Sequence, residues 1–191
     1  MSALAAALLA TGLKLVASHS VYPEGAPPGF SGGFKEDSCH ACHFHQDLNA
    51  PSGGVSVDGV PARYEPRTRY TLTITLSRAD MKLAGFQLSA RFKNDGAQAG
   101  TLAPAAVDNA RVTIAKDGSV QYANQNKEGA TLTRDGFAQW IIEWTAPDSG
   151  GPVSIDVAAN AADGNGSADG DFVYTATVES APIAPAARRL R

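Results

Sequence analysis

A seven-residue run in the middle of the chain alternates strictly between apolar and polar side chains. Residues 70–76 read Tyr-Thr-Leu-Thr-Ile-Thr-Leu, which puts Tyr70, Leu72, Ile74 and Leu76 on one side and three threonines on the other. Successive side chains of a β-strand point to opposite faces, and β-branched and aromatic residues favour strands. The run therefore predicts a strand with one buried face, which needs a second layer to cover it.

The same rhythm continues over residues 55–180. Predicted strands lie at 70–76, 86–92, 111–115, 119–124, 130–133, 138–144, 153–159 and 171–179. Turn signals rich in Asp, Asn, Ser and Gly separate them, and no convincing helix follows the N-terminal region. About eight short strands with frequent turns predict an all-β chain, an antiparallel immunoglobulin-like β-sandwich. Trp140 and Trp144 share one face of a single strand and are predicted to lie in its core.

Both cysteines of the chain lie in one short motif, Cys39-His40-Ala41-Cys42-His43. Cys-x-x-Cys-His is the attachment pattern of a c-type haem. Two thiols at this spacing can each add to a vinyl group on one edge of the porphyrin, and the adjoining imidazole then binds the iron. We therefore predict one covalent haem c, with Cys39 and Cys42 as thioether anchors and His43 as the proximal iron ligand.

Three other interpretations of the motif stay open. A thioredoxin-like redox pair opens a helix after a buried strand, and no βαβ pattern surrounds these cysteines. A closed zinc site needs four ligands, and the chain has one Cys-x-x-Cys pair. The third alternative is a small structural disulfide or a chance occurrence.

The motif divides the chain into segments and indicates a compartment. Residues 1–18 are mostly small and apolar and are interpreted as a signal or a short N-terminal helix, too short for a membrane span of about 20 apolar residues. Residues 19–54 form a Gly/Pro-rich haem segment, 55–180 the β-sandwich and 181–191 a flexible tail. Because haem c is attached outside the cytoplasm, we predict a periplasmic, extracellular or cell-envelope protein.

The sixth iron ligand has several candidates. His40 lies between the two cysteines, and His45 is two residues from His43, which spans at most about 7 Å. Neither can reach the far face of the same haem. Met81, in the connection between two strong predicted strands, is the first candidate, and its alternative role is to fill the core. An open or partner-supplied position and His19 follow.

Residues 55–180 resemble the reelin-type (reeler) sandwich and its bacterial choice-of-anchor relatives. The matching stretches are 70–74, 84–92, 144–147 and 157–174, and the likeness covers roughly residues 20–180. Bacterial members similar to this chain carry a Gly/Pro leader and Cys-x-x-Cys-His before the sandwich. The resemblance implies an exported immunoglobulin-like sandwich with an N-terminal haem module, and it implies no catalytic activity.

The loop at 163–171 reads Asp-Gly-Asn-Gly-Ser-Ala-Asp-Gly-Asp, with oxygen-bearing side chains at alternate positions as in calcium loops. Ala168 stands where such a loop has its mid-loop glycine, and Tyr174 stands where it has its closing glutamate. A plain hairpin loop is therefore expected rather than a calcium site.

Three functions remain in competition. The first is an exported monohaem cytochrome that exchanges electrons with redox partner proteins. The second is a binding or assembly subunit of an envelope or respiratory complex, with membrane association and an auxiliary haem. The third is a haem-based ligand sensor or enzyme with an open axial position. A net charge of −3 gives no reason to expect nucleic acid as a partner.

Overall fold

The computed structural model describes residues 22–184. Ten strands form within them. They are Gly53–Asp58 (β1), Arg63–Tyr64 (β2), Arg69–Arg78 (β3), Leu83–Phe92 (β4), Thr101–Pro104 (β5), Val112–Asp117 (β6), Val120–Gln125 (β7), Phe137–Thr145 (β8), Val153–Ala162 (β9) and Phe172–Pro182 (β10). Three single-turn 3-10 helices, Cys39–Ala41, Ala106–Asp108 and Glu128–Ala130, complete the regular structure. None of the described helices is long and apolar enough to cross a membrane.

The strands form two sheets, in the orders β1-β3-β8-β5 and β2-β10-β9-β4-β7-β6. Every strand pairing is antiparallel except the short contact between β10 and β2. The predicted all-β sandwich is thus confirmed. Its ten strands exceed the expected eight because β1, β2 and β5 are short or rich in Gly and Pro, which weakens their alternating pattern.

The alternating strands bury the faces that their sequences predict. In β3, Leu72, Ile74 and Leu76 are fully buried, and in β8, Trp140 and Trp144 are fully buried as well. The Trp140 indole packs across the sandwich on Phe86 of β4, with ring centroids 4.6 Å apart. Interdigitation of the two inner faces makes one core, as in other β-sandwiches.

Two sequence predictions differ from the structure. Residues 130–133 do not form a strand, because a 3-10 turn ends at Ala130 and only an isolated bridge joins Thr131 to Leu83. Ala181 and Pro182, predicted to belong to a flexible tail, instead pair with β2. Residues 185–191 lie outside the described part of the chain, as do residues 1–18 and His19.

Strand β9 is buried on both faces. Val153, Ile155 and Val157 point into the core, but the intervening Ser154 and Asp156 are buried too. An outer strand face in a sandwich is normally solvated. The segment before β1 covers it here, and this covering segment carries the cysteine motif.

Candidate functional site

Residues 22–50, which we call the docked segment, lie on the outer face of the six-stranded sheet. They contain little regular structure, because prolines and glycines interrupt them. Some of their backbone groups bond to one another, as Gly32 N does to Asp37 O (2.9 Å), and others bond to the sheet. The segment's last turn is fixed by Asn49, whose amide N–H donates to Val173 O (2.9 Å) and whose Oδ1 accepts from Thr175 N (2.8 Å).

Gln87 of β4 fastens the beginning of the docked segment. Its side chain is fully buried, and its Nε2 donates to Pro27 O (2.8 Å) and to Asn124 Oδ1 (2.9 Å). Its Oε1 accepts the amide N–H of Phe30. A buried amide that satisfies both its oxygen and its nitrogen fixes backbone position without leaving unpaired polar groups.

Glu36 fastens the middle of the docked segment through a charged network. Its carboxylate pairs with the Arg91 guanidinium and accepts hydrogen bonds from Tyr122 Oη (2.6 Å) and Ser31 Oγ (2.9 Å). Burial, together with the hydrogen bond to this carboxylate, raises the pKa of Tyr122 above its usual value. The phenol therefore stays protonated and serves as a donor.

One glycine allows the docked segment to approach the sheet closely. A Cβ atom added at Gly33 would lie about 2.4 Å from Cγ of Asp156. No side chain fits at that distance, so glycine is required by contact with β9 rather than by a turn.

The two cysteines lie on and just after the 3-10 turn Cys39–Ala41. Ser38 caps this turn by accepting a hydrogen bond from His40 N (3.2 Å). Both cysteines are free; Cys42 is exposed and Cys39 is half-buried. Burial of its thiol raises the pKa of Cys39 to about 12, with a further contribution from neighbouring Cys42. The docked Cys39 is therefore a thiol rather than a thiolate at neutral pH.

His43 joins this turn to the β-sandwich. Its Nδ1 lies 2.7 Å from Oδ2 of Asp171, the residue just before β10, and the His43 side chain is 30% exposed. The Asp171 side chain is only 2% exposed. Burial alone would raise the pKa of Asp171, but hydrogen bonds from His43, Asn160 and the Asp163 amide lower it below its usual value. Asp171 is therefore a carboxylate.

The other two histidines near the motif have different partners. His40 Nε2 lies 2.8 Å from Gln46 O, and His45 Nδ1 lies 2.7 Å from Asp169 Oδ1. His43 and His45 thus face two aspartates of the 163–171 loop. The rest of this loop is held by its own side chains; for example, Asp163 Oδ1 accepts from Asn165 N (2.9 Å). This is the hydrogen bonding of a plain Asx-rich hairpin loop.

Met81 lies on the other side of the six-stranded sheet from His43. Its side chain is 2% exposed and belongs to the core cluster. His43 contacts Asn160, whose neighbours in β9, Ala159 and Ala161, point into that core, so Asn160 points away from it. The structure therefore does not bring Met81 and His43 together. This arrangement matches the packing alternative, and ligation by Met81 stays a prediction.

Two of the three alternative interpretations of the motif, the thioredoxin-like pair and the zinc site, find little support in this geometry. A thioredoxin-like pair would open a helix after a buried strand, whereas this turn is three residues long and follows irregular backbone. Among residues 22–184, no three His, Cys, Asp or Glu side chains are grouped so that they could hold a metal ion, as a closed zinc site requires.

The geometry of the motif is compatible with a covalent haem. Both thiols are free, and the His43 imidazole is partly exposed with its Nδ1 turned to a carboxylate. One polar atom, Asn160 Nδ2, lies 3.5 Å from Nε2. Phe44, with 52% of its surface exposed, and Leu48, with 43%, supply apolar surface nearby in sequence. These residues could hold haem c through two thioether bonds and one axial imidazole.

Comparison with known proteins defines the class of fold. No protein-family model and no curated protein matches the sequence. Among solved structures, the Reelin-N domain of F-spondin superposes with a TM-score of 0.51 at 17% identity, covering 75% of this chain and 96% of that one. The human F-spondin reeler domain gives 0.49 at 19% identity, covering 72% and 95%. A cohesin module from Clostridium perfringens gives 0.44 at 8% identity, covering 70% and 99%.

The chain is therefore a reeler-like β-sandwich. At these identities the likeness concerns the fold alone, since one fold hosts many unrelated functions.

Proposed function

We propose that this protein is an exported monohaem c-type cytochrome that transfers single electrons. The observation that carries the proposal is the presentation of two free cysteines and a partly exposed histidine by one surface turn, in the order Cys39, Cys42, His43. A haem c held there would supply one-electron redox chemistry. The sandwich would act as a rigid support for the haem segment, and redox proteins of the periplasm or cell envelope would be its partners.

The docked segment also constrains how haem would be attached. The raised pKa of Cys39 makes its buried thiol a poor nucleophile in the docked arrangement. We infer that the thioether bond of Cys39 forms before residues 22–50 settle on the sheet, whereas Cys42 stays exposed in the docked arrangement. The polar contacts of Gln87 and Glu36 would then fix the loaded segment in place.

The test is maturation in the periplasm together with a haem-attachment system. We expect haem to stay with the denatured protein through acid–acetone extraction, and the intact mass to show one porphyrin adduct. A low-spin, six-coordinate spectrum supports electron transfer. Colourless protein with two free thiols would overturn the proposal.

A second candidate function is a haem protein with an open axial position that binds a small ligand. The burial of Met81 in the core favours it, because that side chain is not beside His43. A five-coordinate spectrum, with carbon monoxide binding to the untreated ferrous protein, would distinguish this candidate from the electron carrier.

Met81→Ala decides between the two roles of the methionine. If Met81 is the sixth ligand, the oxidised wild type shows the weak absorption band near roughly 695 nm that marks Met-ligated haem c. The variant then loses that band and its reduction potential falls, because thioether sulfur stabilises ferrous iron. If Met81 only packs, the spectrum stays unchanged while the core is destabilised by about 2–5 kcal/mol.

His45→Ala is the control for this experiment. The His45 side chain pairs with Asp169 on the exposed loop, and it lies two residues from His43. Its removal should leave iron coordination in the monomer unchanged. A changed spectrum in His45→Ala would mean that His45 does influence the iron, despite lying only two residues from His43.

A further inference from the structure

The geometry points to Asp171 as a positioning residue for the haem ligand His43, one that lowers the reduction potential of the bound iron. This inference rests on the proposed function, since it concerns the same site. The two residues lie 128 positions apart in the chain and meet only because the docked segment crosses the start of β10.

The contact determines the tautomer of His43. Both Asp171 oxygens accept N–H groups, from Asn160 Nδ2 and from the Asp163 amide, as the oxygens of a carboxylate do. At 2.7 Å the Nδ1–H of His43 is therefore the donor. Nε2 is then the ring nitrogen whose lone pair is available to a metal. Metal-bound histidines usually have such a partner on the second nitrogen, and the partner fixes ring orientation and raises ligand basicity.

Two further groups hold the Asp171 carboxylate in place. Asn160 Nδ2 lies 3.2 Å from its Oδ2, and the Asp163 amide donates to its Oδ1 over 3.0 Å. Asn160 is itself 9% exposed, and its Oδ1 is a buried polar atom without a hydrogen-bond partner. An unpaired buried oxygen is costly. The Asn160 side chain thus donates its amide N–H to the carboxylate although its own oxygen is left unpaired.

The neighbouring pair, His45 and Asp169, provides an internal comparison. Those two side chains are 47% and 66% exposed, so water and salt screen their interaction. Asp171 is shielded from solvent, and its charge acts on the imidazole almost unscreened. A strong acceptor at Nδ1 makes the axial imidazole a better electron donor, which favours ferric over ferrous iron.

The experiment compares two variants that each remove one negative charge near the motif. In haem-loaded protein, Asp171→Asn should raise the equilibrium constant for reduction about tenfold. For a one-electron couple this corresponds to a midpoint potential that is about 59 mV higher. The matched control Asp169→Asn removes the same charge from the exposed pair and should shift the potential much less. Equal shifts in the two variants would mean that only general electrostatics acts, and would overturn the inference.

A third variant tests the direction of the effect. Asn160→Ala removes one donor to the carboxylate and leaves Asp171 intact, so the carboxylate becomes a stronger acceptor for His43. Its midpoint potential should move in the negative direction, opposite to Asp171→Asn. This variant also serves if Asp171→Asn fails to fold, and a positive or absent shift would then overturn the inference.

The outcomes separate this inference from the proposed function. If wild-type protein never acquires covalent haem, the proposed function is wrong. If it does acquire haem and both Asp171→Asn and Asn160→Ala leave the potential unchanged, the cytochrome proposal stands and the positioning role of Asp171 is rejected.

Discussion

A variant that carries Cys39→Ala and Cys42→Ala together should acquire no covalently bound haem and should keep its β-sandwich. Haem c is held by thioether bonds, and these cysteines are the only two in the chain. We expect no absorbance to remain with the denatured protein after acid–acetone extraction, and no porphyrin adduct in the intact mass.

The fold should survive this change because polar contacts other than the thiols hold the docked segment. The segment is held by Gln87, by the Glu36–Arg91 pair and by Asn49, and its turn is capped by Ser38. The far-ultraviolet circular dichroism spectrum should therefore match that of wild-type apoprotein. A collapse of the sandwich in the double variant would show that the cysteines have a structural role.

His40→Ala is the matched control inside the motif. It keeps both thiols and His43 and removes only the contact of His40 with Gln46 O. Haem attachment should be retained, since the second and third positions of Cys-x-x-Cys-His carry no thioether and no iron ligand. Equal loss of haem from His40→Ala and from the double cysteine variant would mean that the motif has been assigned the wrong chemistry.

Trp144→Ala should lower the free energy of unfolding by about 3–5 kcal/mol. The indole is fully buried and stacks on Tyr70, with ring centroids 5.7 Å apart. Its Nε1 donates to Ala99 O over 2.9 Å, so truncation also leaves a buried carbonyl without its partner. Chemical denaturation monitored by circular dichroism measures the change in the free energy of unfolding.

Thr73→Ala is the control on the opposite face of the same sheet. Thr73 lies between Leu72 and Ile74 in β3, and both of these are fully buried, so its own side chain points away from the core. Its removal should change stability by no more than about 0.5 kcal/mol. Comparable losses from Thr73→Ala and Trp144→Ala would mean that the inner and outer faces of this sheet are assigned wrongly.

Periodicity was sufficient to predict the inner faces of the sandwich. Leu72, Ile74, Trp140 and Trp144 are buried as their alternation requires. An amphipathic strand has only one low-energy way to face a core, so this information is local. Residues 130–133 were misassigned because a β-branched run looks like a strand even where the chain turns.

The outer face of β9 could not be predicted in the same way. Asp156 and Asn160 are polar and alternate with apolar residues, a pattern that normally means solvent. They are buried because residues 22–50 lie over them. Docking of an irregular segment leaves no periodic signal in the sheet. The clearest sequence clue to this covered face is the presence of uncharged polar residues, such as Gln87 and Ser89, on the neighbouring strand β4.

The cysteine motif and the acidic loop show the same division between local and long-range information. The spacing of Cys39, Cys42 and His43 is given by the sequence itself, and it suffices to predict a haem attachment site. The pairing of His43 with Asp171, and the separation of His43 from Met81 by a sheet, depend on which strands are neighbours. Such contacts join residues that are far apart in the chain. A local sequence pattern carries no information about which distant residue will pack against it, so only the folded structure decides these contacts.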